Sequence, residues 1–297
     1  MTQLTETVPI SRPSTATPFW RKLAGWRTAV LLGLIGWLYA PILARLLQQW
    51  WNDPNFSHGF FVPVFAGFVA WQERARLAST CRSPSSWGLP IILLSLSTLI
   101  LGVFGAELFL SRVSLIVLIA GLIVFLMGWA TLRAILFPLL LLILMVPLPA
   151  IVFSQITFPL QIFASKLAAW SLPVLGVPVF REGNVINLPA MPLEVAQACS
   201  GIRSLLSLTT LAIMYGYLME KRVAIRVVLA LASIPIAVAA NGLRIVGTGL
   251  LVQYWDPDKA EGFFHAFSGW LIFVVSLLML FAFHQSLLLA RRNEVAG

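Results

Sequence analysis

Long apolar runs, broken by short polar stretches, dominate the chain from residue 26 to residue 283. A helix needs about 20 apolar residues to cross the hydrocarbon core of a bilayer, and most of these runs approach that length. We therefore predict an all-α polytopic membrane protein with about eight transmembrane helices. The predicted spans are Trp26–Leu47, Gly59–Trp71, Trp87–Gly105, Val113–Trp129, Ile135–Phe153, Ile202–Leu218, Val227–Val252 and Phe263–Phe283.

Two segments between the fifth and sixth predicted spans break this pattern. Residues 155–176 carry Gln161, Lys166 and prolines, which predicts an amphipathic or re-entrant helix that stays on one side of the membrane. Residues 178–195 contain the turn sequence Glu182-Gly183-Asn184 between short extended stretches. This pattern predicts a small hairpin on the outer face, before Cys199.

The composition favours one integral membrane domain. The chain has 297 residues, of which 59% are hydrophobic and 10% charged, and its mean hydropathy is +0.91. A soluble domain would carry about 25% charged residues. Residues 1–25 are polar and lack an apolar core, so we expect a flexible cytoplasmic tail and no cleavable signal peptide. A membrane domain over 26–286 and a short cytoplasmic tail over 287–297 complete the predicted organisation.

The net charge of +9 would suggest a nucleic-acid partner in a soluble protein. In a membrane protein the basic residues act as orientation signals, so no nucleic acid is expected. If both termini are cytoplasmic and residues 155–176 do not cross the membrane, thirteen of the twenty basic residues fall in segments on the cytoplasmic side. The thirteen are Arg12, Arg21, Lys22, Arg27, Arg74, Arg76, Arg82, Arg133, Lys221, Arg222, Arg226, Arg291 and Arg292.

Three chemically capable side chains fall on the outer face of this predicted topology. Cys199 precedes the sixth span and His265 lies at the start of the eighth. Arg244 lies about 12 Å deep in the outer half of the seventh span. Taken alone, the cysteine could be an apolar filler and the histidine an interfacial residue. A charge as deep as Arg244 costs about 2.5–3.5 kcal/mol on insertion scales and needs a partner or a function.

These residue types suit covalent acyl transfer. A thiolate is the nucleophilic form of cysteine, and the helix N-terminus that follows Cys199 favours negative charge. His265 could accept the thiol proton and return it to a leaving amine, while Arg244 could stabilise an oxyanion. No His, Cys or carboxylate cluster has metal-ligand spacing and no glycine-rich phosphate loop is present, so no metal or other cofactor is expected.

Three further polar residues could support such a site. Asn241 lies three residues before Arg244 on the same helix face, where it could orient Arg244 or the substrate. Arg203 could hold the thiolate or a substrate carboxylate, or it could anchor the helix at the membrane interface. His58 opens the second predicted span near Asp53 and could line the same site, although helix capping or structural support is the favoured interpretation.

The order and spacing of these residues resemble the signature of the exosortase/archaeosortase family. The resemblance rests on Ala198-Cys199-Ser200-Gly201-Ile202-Arg203, Asn241-Gly242-Leu243-Arg244-Ile245 and His265-Ala266-Phe267-Ser268-Gly269. The stretch Pro54-Asn55-Phe56-Ser57-His58-Gly59 is also similar to an early family motif, so the resemblance covers roughly residues 50–285. One departure is Gln197, where related sequences often carry an acidic residue.

The resemblance implies a membrane-embedded cysteine protease or transpeptidase with Cys199 as nucleophile and Arg244 and His265 completing the triad. Its partners would be membrane-anchored exported proteins that end in a Pro-Glu-Pro-type motif, a membrane helix and a basic tail. The implied location is the inner membrane of a bacterium, with the active site facing the periplasm. An amine acceptor in the envelope would make the enzyme a transpeptidase, and water would make it a protease.

Two other functional classes stay open at this point. A transporter or channel would use Arg244 to bind an anion or gate a path, but no matching pair of broken helices is visible in two halves of the chain. A scaffold subunit of an exopolysaccharide export system would need Cys199, Arg244 and His265 only for structure. Thiol chemistry separates these classes, because a catalytic Cys199 should be alkylated from outside at a rate that depends on His265.

Overall fold

The computed structural model describes residues 26–195, 201–255 and 263–296, with backbone alone described at 27–28, 263–268 and 292–296. The helices are α1 (Trp26–Asn52), α2 (Phe61–Gln72), α3 (Arg74–Ser79), α4 (Gly88–Phe104), α5 (Leu108–Met127), α6 (Trp129–Leu141), α7 (Ala150–Val174), α8 (Ile202–Met219), α9 (Val223–Tyr254) and α10 (Phe263–Ala296). Two short 3-10 helices, Pro54–Phe60 and Leu142–Met145, precede α2 and follow α6.

Six helices in the described part of the chain are long and apolar enough to span a membrane, namely α1, α5, α7, α8, α9 and α10. The chain is therefore a helical polytopic membrane protein, but the predicted number of eight spans is not supported. The predicted second span is the 12-residue helix α2, whose length of about 18 Å falls short of the roughly 30 Å hydrocarbon core. α4 and the segment from α6 to Met145 are apolar but also shorter than the six.

The predicted fifth span, Ile135–Phe153, is interrupted in the structure. α6 ends at Leu141 and passes through a 3-10 turn, and α7 begins only at Ala150. Pro147 and Pro149 lie in this gap. They explain the break because proline lacks a backbone N–H and disfavours the helical conformation of the residue before it.

α7 extends beyond the predicted amphipathic segment 155–176 at its N-terminal end, and it is long enough to span a membrane. Near its start, the ring of Phe153 lies 5.7 Å from the ring of Phe56, in the 3-10 helix that follows α1. Just after its end, a Cβ on Gly176 would lie 3.7 Å from the hydroxyl of Tyr254, the last residue of α9. The two ends of α7 therefore lie beside the region after α1 and the end of α9.

The predicted hairpin is present and is extended by a third strand. β1 (Phe180–Glu182) pairs antiparallel with β2 (Val185–Asn187), and β2 pairs antiparallel with β3 (Pro192–Glu194). The turn passes through Gly183, whose φ of 62° lies in the left-handed region that glycine adopts without strain. Ser165 of α7 donates a hydrogen bond to the Gly183 carbonyl at 3.0 Å, which attaches the hairpin to that helix.

Small residues bring α4 and α5 into close contact. A Cβ on Gly88 would overlap the backbone of Phe125, and one on Gly121 would lie 2.9 Å from Ile92. Such close approach allows van der Waals packing to hold helices together in lipid. A buried contact of 2.9 Å between the hydroxyls of Tyr39 and Ser114 joins α1 to this pair.

α8, α9 and α10 pack around a separate apolar core that includes the fully buried Leu208 and Leu229. A polar chain closes one end of this core. The hydroxyl of Tyr215 lies 2.8 Å from Nδ1 of His284, and Nε2 of His284 lies 2.8 Å from a carboxylate oxygen of Glu220. These contacts tie the end of α8 to the middle of α10.

Candidate functional site

A cavity of about 740 Å³ lies between the 3-10 helix Pro54–Phe60 and helices α8, α9 and α10. Its polar lining consists of Ser57, His58, Arg203, Ser204, Ser207, Thr210 and Arg244. Phe61 and Trp270 belong to its apolar side and are 72% and 62% exposed, so the cavity opens to the molecular surface. The described residues that line the cavity include two arginines and no aspartate or glutamate. This positive charge favours a ligand that is an anion or that develops negative charge on oxygen.

Gly201 forms the wall of the cavity where α8 begins. It is the N-cap residue, with φ of 78°, a left-handed conformation that residues with a Cβ adopt only with strain. A Cβ at this position would lie 2.8 Å from Cγ of Asn241, which is itself buried in α9. The start of α8 therefore packs directly on Asn241, and only glycine fits this contact without displacement.

Arg244 reaches the cavity from α9 and meets α10 there. A Cβ on Gly269 of α10 would lie 3.5 Å from one terminal nitrogen of the Arg244 guanidinium. This is an ordinary van der Waals distance, so the Arg244 guanidinium lies directly beside α10 at Gly269. Arg244 lies three residues after Asn241, so one face of α9 contacts both Gly201 and Gly269.

The 3-10 helix Pro54–Phe60 carries Ser57 and His58 to the cavity. Asp53 caps it by accepting a hydrogen bond from the Asn55 N–H at 2.9 Å. A Cβ on Gly59 would overlap the indole of Trp50, so glycine permits the turn to pack closely on α1. Asp53 is therefore the cap of this turn, so helix capping by His58 is wrong, whereas the structural support also favoured for His58 stays a prediction. His58 lines the cavity as well.

The environment of His58 keeps its imidazole neutral near pH 7. Burial lowers the pKa of His58, and interactions with the backbone of Leu144 and Asn55 oppose this effect only in part. Its Nδ1 atom is buried without a well-formed hydrogen bond to any residue that the structure describes. A neutral ring can accept or donate a hydrogen bond in the cavity without adding positive charge.

A row of hydroxyl groups on α8 lines the cavity and was not singled out from the sequence. Ser204, Ser207 and Thr210 follow one another at intervals of three residues. The signal was available, since polar residues repeated every three positions lie along one side of an otherwise apolar helix. Their hydroxyls supply donors and acceptors opposite the apolar wall.

The structure brings together some of the residues predicted for the site. Arg244, Arg203 and His58 line one cavity, whereas Asn241 lies behind it against Gly201. Cys199 falls outside the described residues, as does the side chain of His265, whose backbone belongs to α10. Among the described residues, no three His, Cys, Asp or Glu side chains form a group that could hold a metal ion.

The fold and the cavity define a polytopic helical membrane protein with a cationic, hydroxyl-lined cavity where the ends of several elements meet. Residues 50–282 match the transmembrane exosortase family, and the chain belongs to that family. The resemblance seen in the sequence is thereby confirmed. Comparison with curated proteins found no match, and neither did comparison with solved structures.

Proposed function

We propose that the chain is a membrane-embedded cysteine peptidase or transpeptidase that cleaves the C-terminal sorting tails of exported proteins. Cys199 is the nucleophile, His265 is the general base and acid, and Arg244 stabilises the oxyanion. Membership of the transmembrane exosortase family supports a membrane transpeptidase in general. The neighbourhood of Arg244 supports the assignment of roles.

The proposal rests on one observation: residues that are close in sequence to Cys199 and to His265 line the same cavity as Arg244. Gly201 lies two residues after Cys199, and Gly269 lies four residues after His265. Both glycines line the cavity that Arg244 lines. Because four residues make about one helical turn, positions 265 and 269 fall on the same side of α10.

The proposed reaction consists of two acyl transfers. His265 takes the proton of the Cys199 thiol, and the sulfur attacks the carbonyl carbon of the scissile peptide bond. Arg244 stabilises the resulting oxyanion. The C–N bond then breaks, His265 returns its proton to the leaving amine, and a thioester remains. An amine or water attacks the thioester, forms the new product and restores the thiol.

The two sides of the cavity suit a substrate that is partly peptide and partly membrane helix. Arg203 and Ser204 lie on the polar side, where a guanidinium can pair with the carboxylate of a Pro-Glu-Pro-type motif. Trp270 and Phe273 lie on the apolar side, next to the surface that lipid would cover. A sorting tail offers the same two chemistries in succession, a polar motif followed by an apolar helix.

The proposed orientation has both termini in the cytoplasm and the cavity at the periplasmic face of a bacterial inner membrane. The bias of basic residues supports this orientation on a topology in which the shorter helices α2, α4 and α6 cross as well and α7 does not. α2 fits this topology, because Phe61 at its start lines the cavity and Glu73 after its end contacts Tyr217 near the other end of α8. The contacts at the ends of α7 also support it, because Phe153 packs on Phe56 and Gly176 lies beside Tyr254, both on the side assigned to the periplasm. An α7 that does not cross keeps the hairpin and Cys199 on that side.

Co-expression with a tagged substrate that ends in a Pro-Glu-Pro-type tail tests the proposal. Wild-type protein should shorten the substrate and Cys199→Ala should not, at matched expression. Cys81→Ala is the matched control, since it removes the other of the two cysteines, which is exposed. The terminal mass of the product distinguishes transfer to an amine from hydrolysis. Equal processing by wild type and Cys199→Ala would refute the role of Cys199 and favour transport or a scaffold.

A further inference from the structure

A second cavity, of about 480 Å³, lies at the opposite end of α8 from the site described above. Arg76, Arg133, Tyr217 and Arg226 line it from α3, α6, α8 and α9, and we call it the arginine pocket. Tyr217 lies sixteen residues after Gly201, which is about 24 Å along the helix axis. The two cavities approach each other at Met214 and Ile213 of α8 but share no lining residue among those that the structure describes. The arginine pocket is therefore a separate cavity and takes no part in the proposed reaction.

The lining of the arginine pocket carries an excess of positive charge. Its three guanidinium groups are accompanied by one carboxylate, that of Glu73. Glu73 is already engaged, because it accepts a hydrogen bond from the Tyr217 hydroxyl at 3.3 Å and forms an ion pair with Arg76 at 3.6 Å. Arg133 forms neither a hydrogen bond nor an ion pair with any residue that the structure describes. The positive charge of the arginine side chains in the pocket therefore exceeds the negative charge of Glu73.

Part of this charge is held in a fixed position before any ligand arrives. The ring of Tyr217 stacks on Phe137 with centroids 4.4 Å apart, and the guanidinium carbon of Arg226 lies 4.7 Å from the Tyr217 ring. Nε of Arg226 donates to the Glu220 carbonyl at 2.7 Å. The pocket also contains Val223, the first residue of α9, where the helix dipole is positive.

We propose that the arginine pocket binds the phosphate group of an anionic phospholipid. The planar fork of arginine matches the oxygens of a phosphate, and basic pockets between membrane helices are suited to anionic headgroups. Val223 and Val227, which also line the pocket, are 68% and 49% exposed, so an acyl chain attached to the phosphate can continue along an apolar surface. This combination favours a lipid over a free anion.

Native mass spectrometry of the purified full-length protein in neutral detergent tests this proposal. The probes are dioctanoyl phosphatidylglycerol, dioctanoyl phosphatidylcholine and inorganic phosphate. Arg133→Gln should weaken phosphatidylglycerol binding about fivefold, the effect of about one arginine near an anionic headgroup. Arg76→Gln should weaken it in the same direction. Arg74→Gln is the matched control, because this exposed arginine is near Arg76 in sequence but does not line the pocket.

Phosphatidylglycerol binding that falls in Arg133→Gln and Arg76→Gln but not in Arg74→Gln, with no binding of phosphatidylcholine, supports the proposal. Displacement of the lipid by inorganic phosphate at equal concentration would overturn the preference for a lipid and make free phosphate the ligand. Equal binding of the two lipids, or equal affinity in all three variants and wild type, would overturn the site itself. None of these results depends on Cys199 or on catalytic activity.

Discussion

Replacement of Gly201 by alanine should disturb the start of α8 and, with it, the segment that carries Cys199. The backbone at Gly201 has φ of 78°, a conformation that costs a residue with a Cβ about 1–2 kcal/mol. The new methyl group would also lie 2.8 Å from Cγ and 2.9 Å from Cβ of Asn241, closer than carbon atoms pack. Relief of such an overlap costs about 1–3 kcal/mol.

The two effects together predict a loss of about 2–5 kcal/mol in the free energy of unfolding. At about 2–4 °C for each kcal/mol, the melting temperature of the purified protein should fall by about 4–20 °C. Substrate processing should fall further than the loss of folded protein explains, because α8 can relieve the overlap only by moving away from Asn241. Tryptophan fluorescence during heating measures the first effect, and a processing assay normalised to folded protein measures the second.

Gly183→Ala is the control that separates backbone strain from the steric overlap. Gly183 also has a positive φ, 62°, but a Cβ there would have no neighbour within 4 Å. This variant should lose only about 1–2 kcal/mol and should retain processing. If Gly201→Ala and Gly183→Ala were equally stable and equally active, the contact between Gly201 and Asn241 would have no part in the site.

Three further predictions concern side chains in and away from the cavity. Arg244→Gln should reduce processing about 100- to 1,000-fold, as loss of an oxyanion donor does, measured as the initial rate of tail removal. The melting temperature of wild type should decrease as the pH falls below 6.5, because His58 binds a proton in the unfolded protein at a higher pH than it does when buried in the folded protein. The His58→Gln variant should lose this part of the pH dependence. His284→Leu should cost about 1–3 kcal/mol in thermal stability, since it leaves Tyr215 and Glu220 without their shared partner, while processing per folded molecule is unchanged.

Matched variants make each of these results specific. Arg203→Gln removes the other cavity arginine, so an equal loss of rate in the two variants would contradict a special role for Arg244. A pH dependence that persists unchanged in His58→Gln would assign the titration to another group. Ser286→Ala, an exposed change on α10 close to His284, should stay within about 0.5 kcal/mol of wild type. A similar small effect of His284→Leu would show that the buried polar chain contributes little.

Local patterns in the sequence were sufficient for much of the fold. The apolar runs predicted the helical membrane architecture, since each long run must satisfy its backbone hydrogen bonds as a helix. The turn sequence at Gly183-Asn184 predicted the hairpin because it supplies a residue that tolerates positive φ. The break between α6 and α7 was missed, although Pro147 and Pro149 signalled it, because hydrophobicity was continuous across both residues.

The candidate site was less predictable because its contacts join residues far apart in the chain. Nothing local to Gly201 or Gly269 indicates that one would pack against Asn241 and the other beside Arg244. Hydrophobicity also does not give the length of a helix, so α2 was predicted as a span although its 12 residues fall short of the length of the six candidate spans. Aspartate followed by proline is a recognisable start of a helix, and Asp53 rather than His58 is the cap in the structure.

In the proposed reaction Cys199 carries the acyl group as a thioester, and trapping that thioester tests its role as nucleophile. Purified wild-type protein and the Cys199→Ala and Cys81→Ala variants would be incubated with a tail-bearing substrate, quenched in acid and analysed by intact and peptide mass spectrometry. If Cys199 is the nucleophile, an acyl adduct that hydroxylamine releases should form on the peptide containing Cys199 in wild type and Cys81→Ala, but not in Cys199→Ala. Tail cleavage by Cys199→Ala at the wild-type rate would contradict this role.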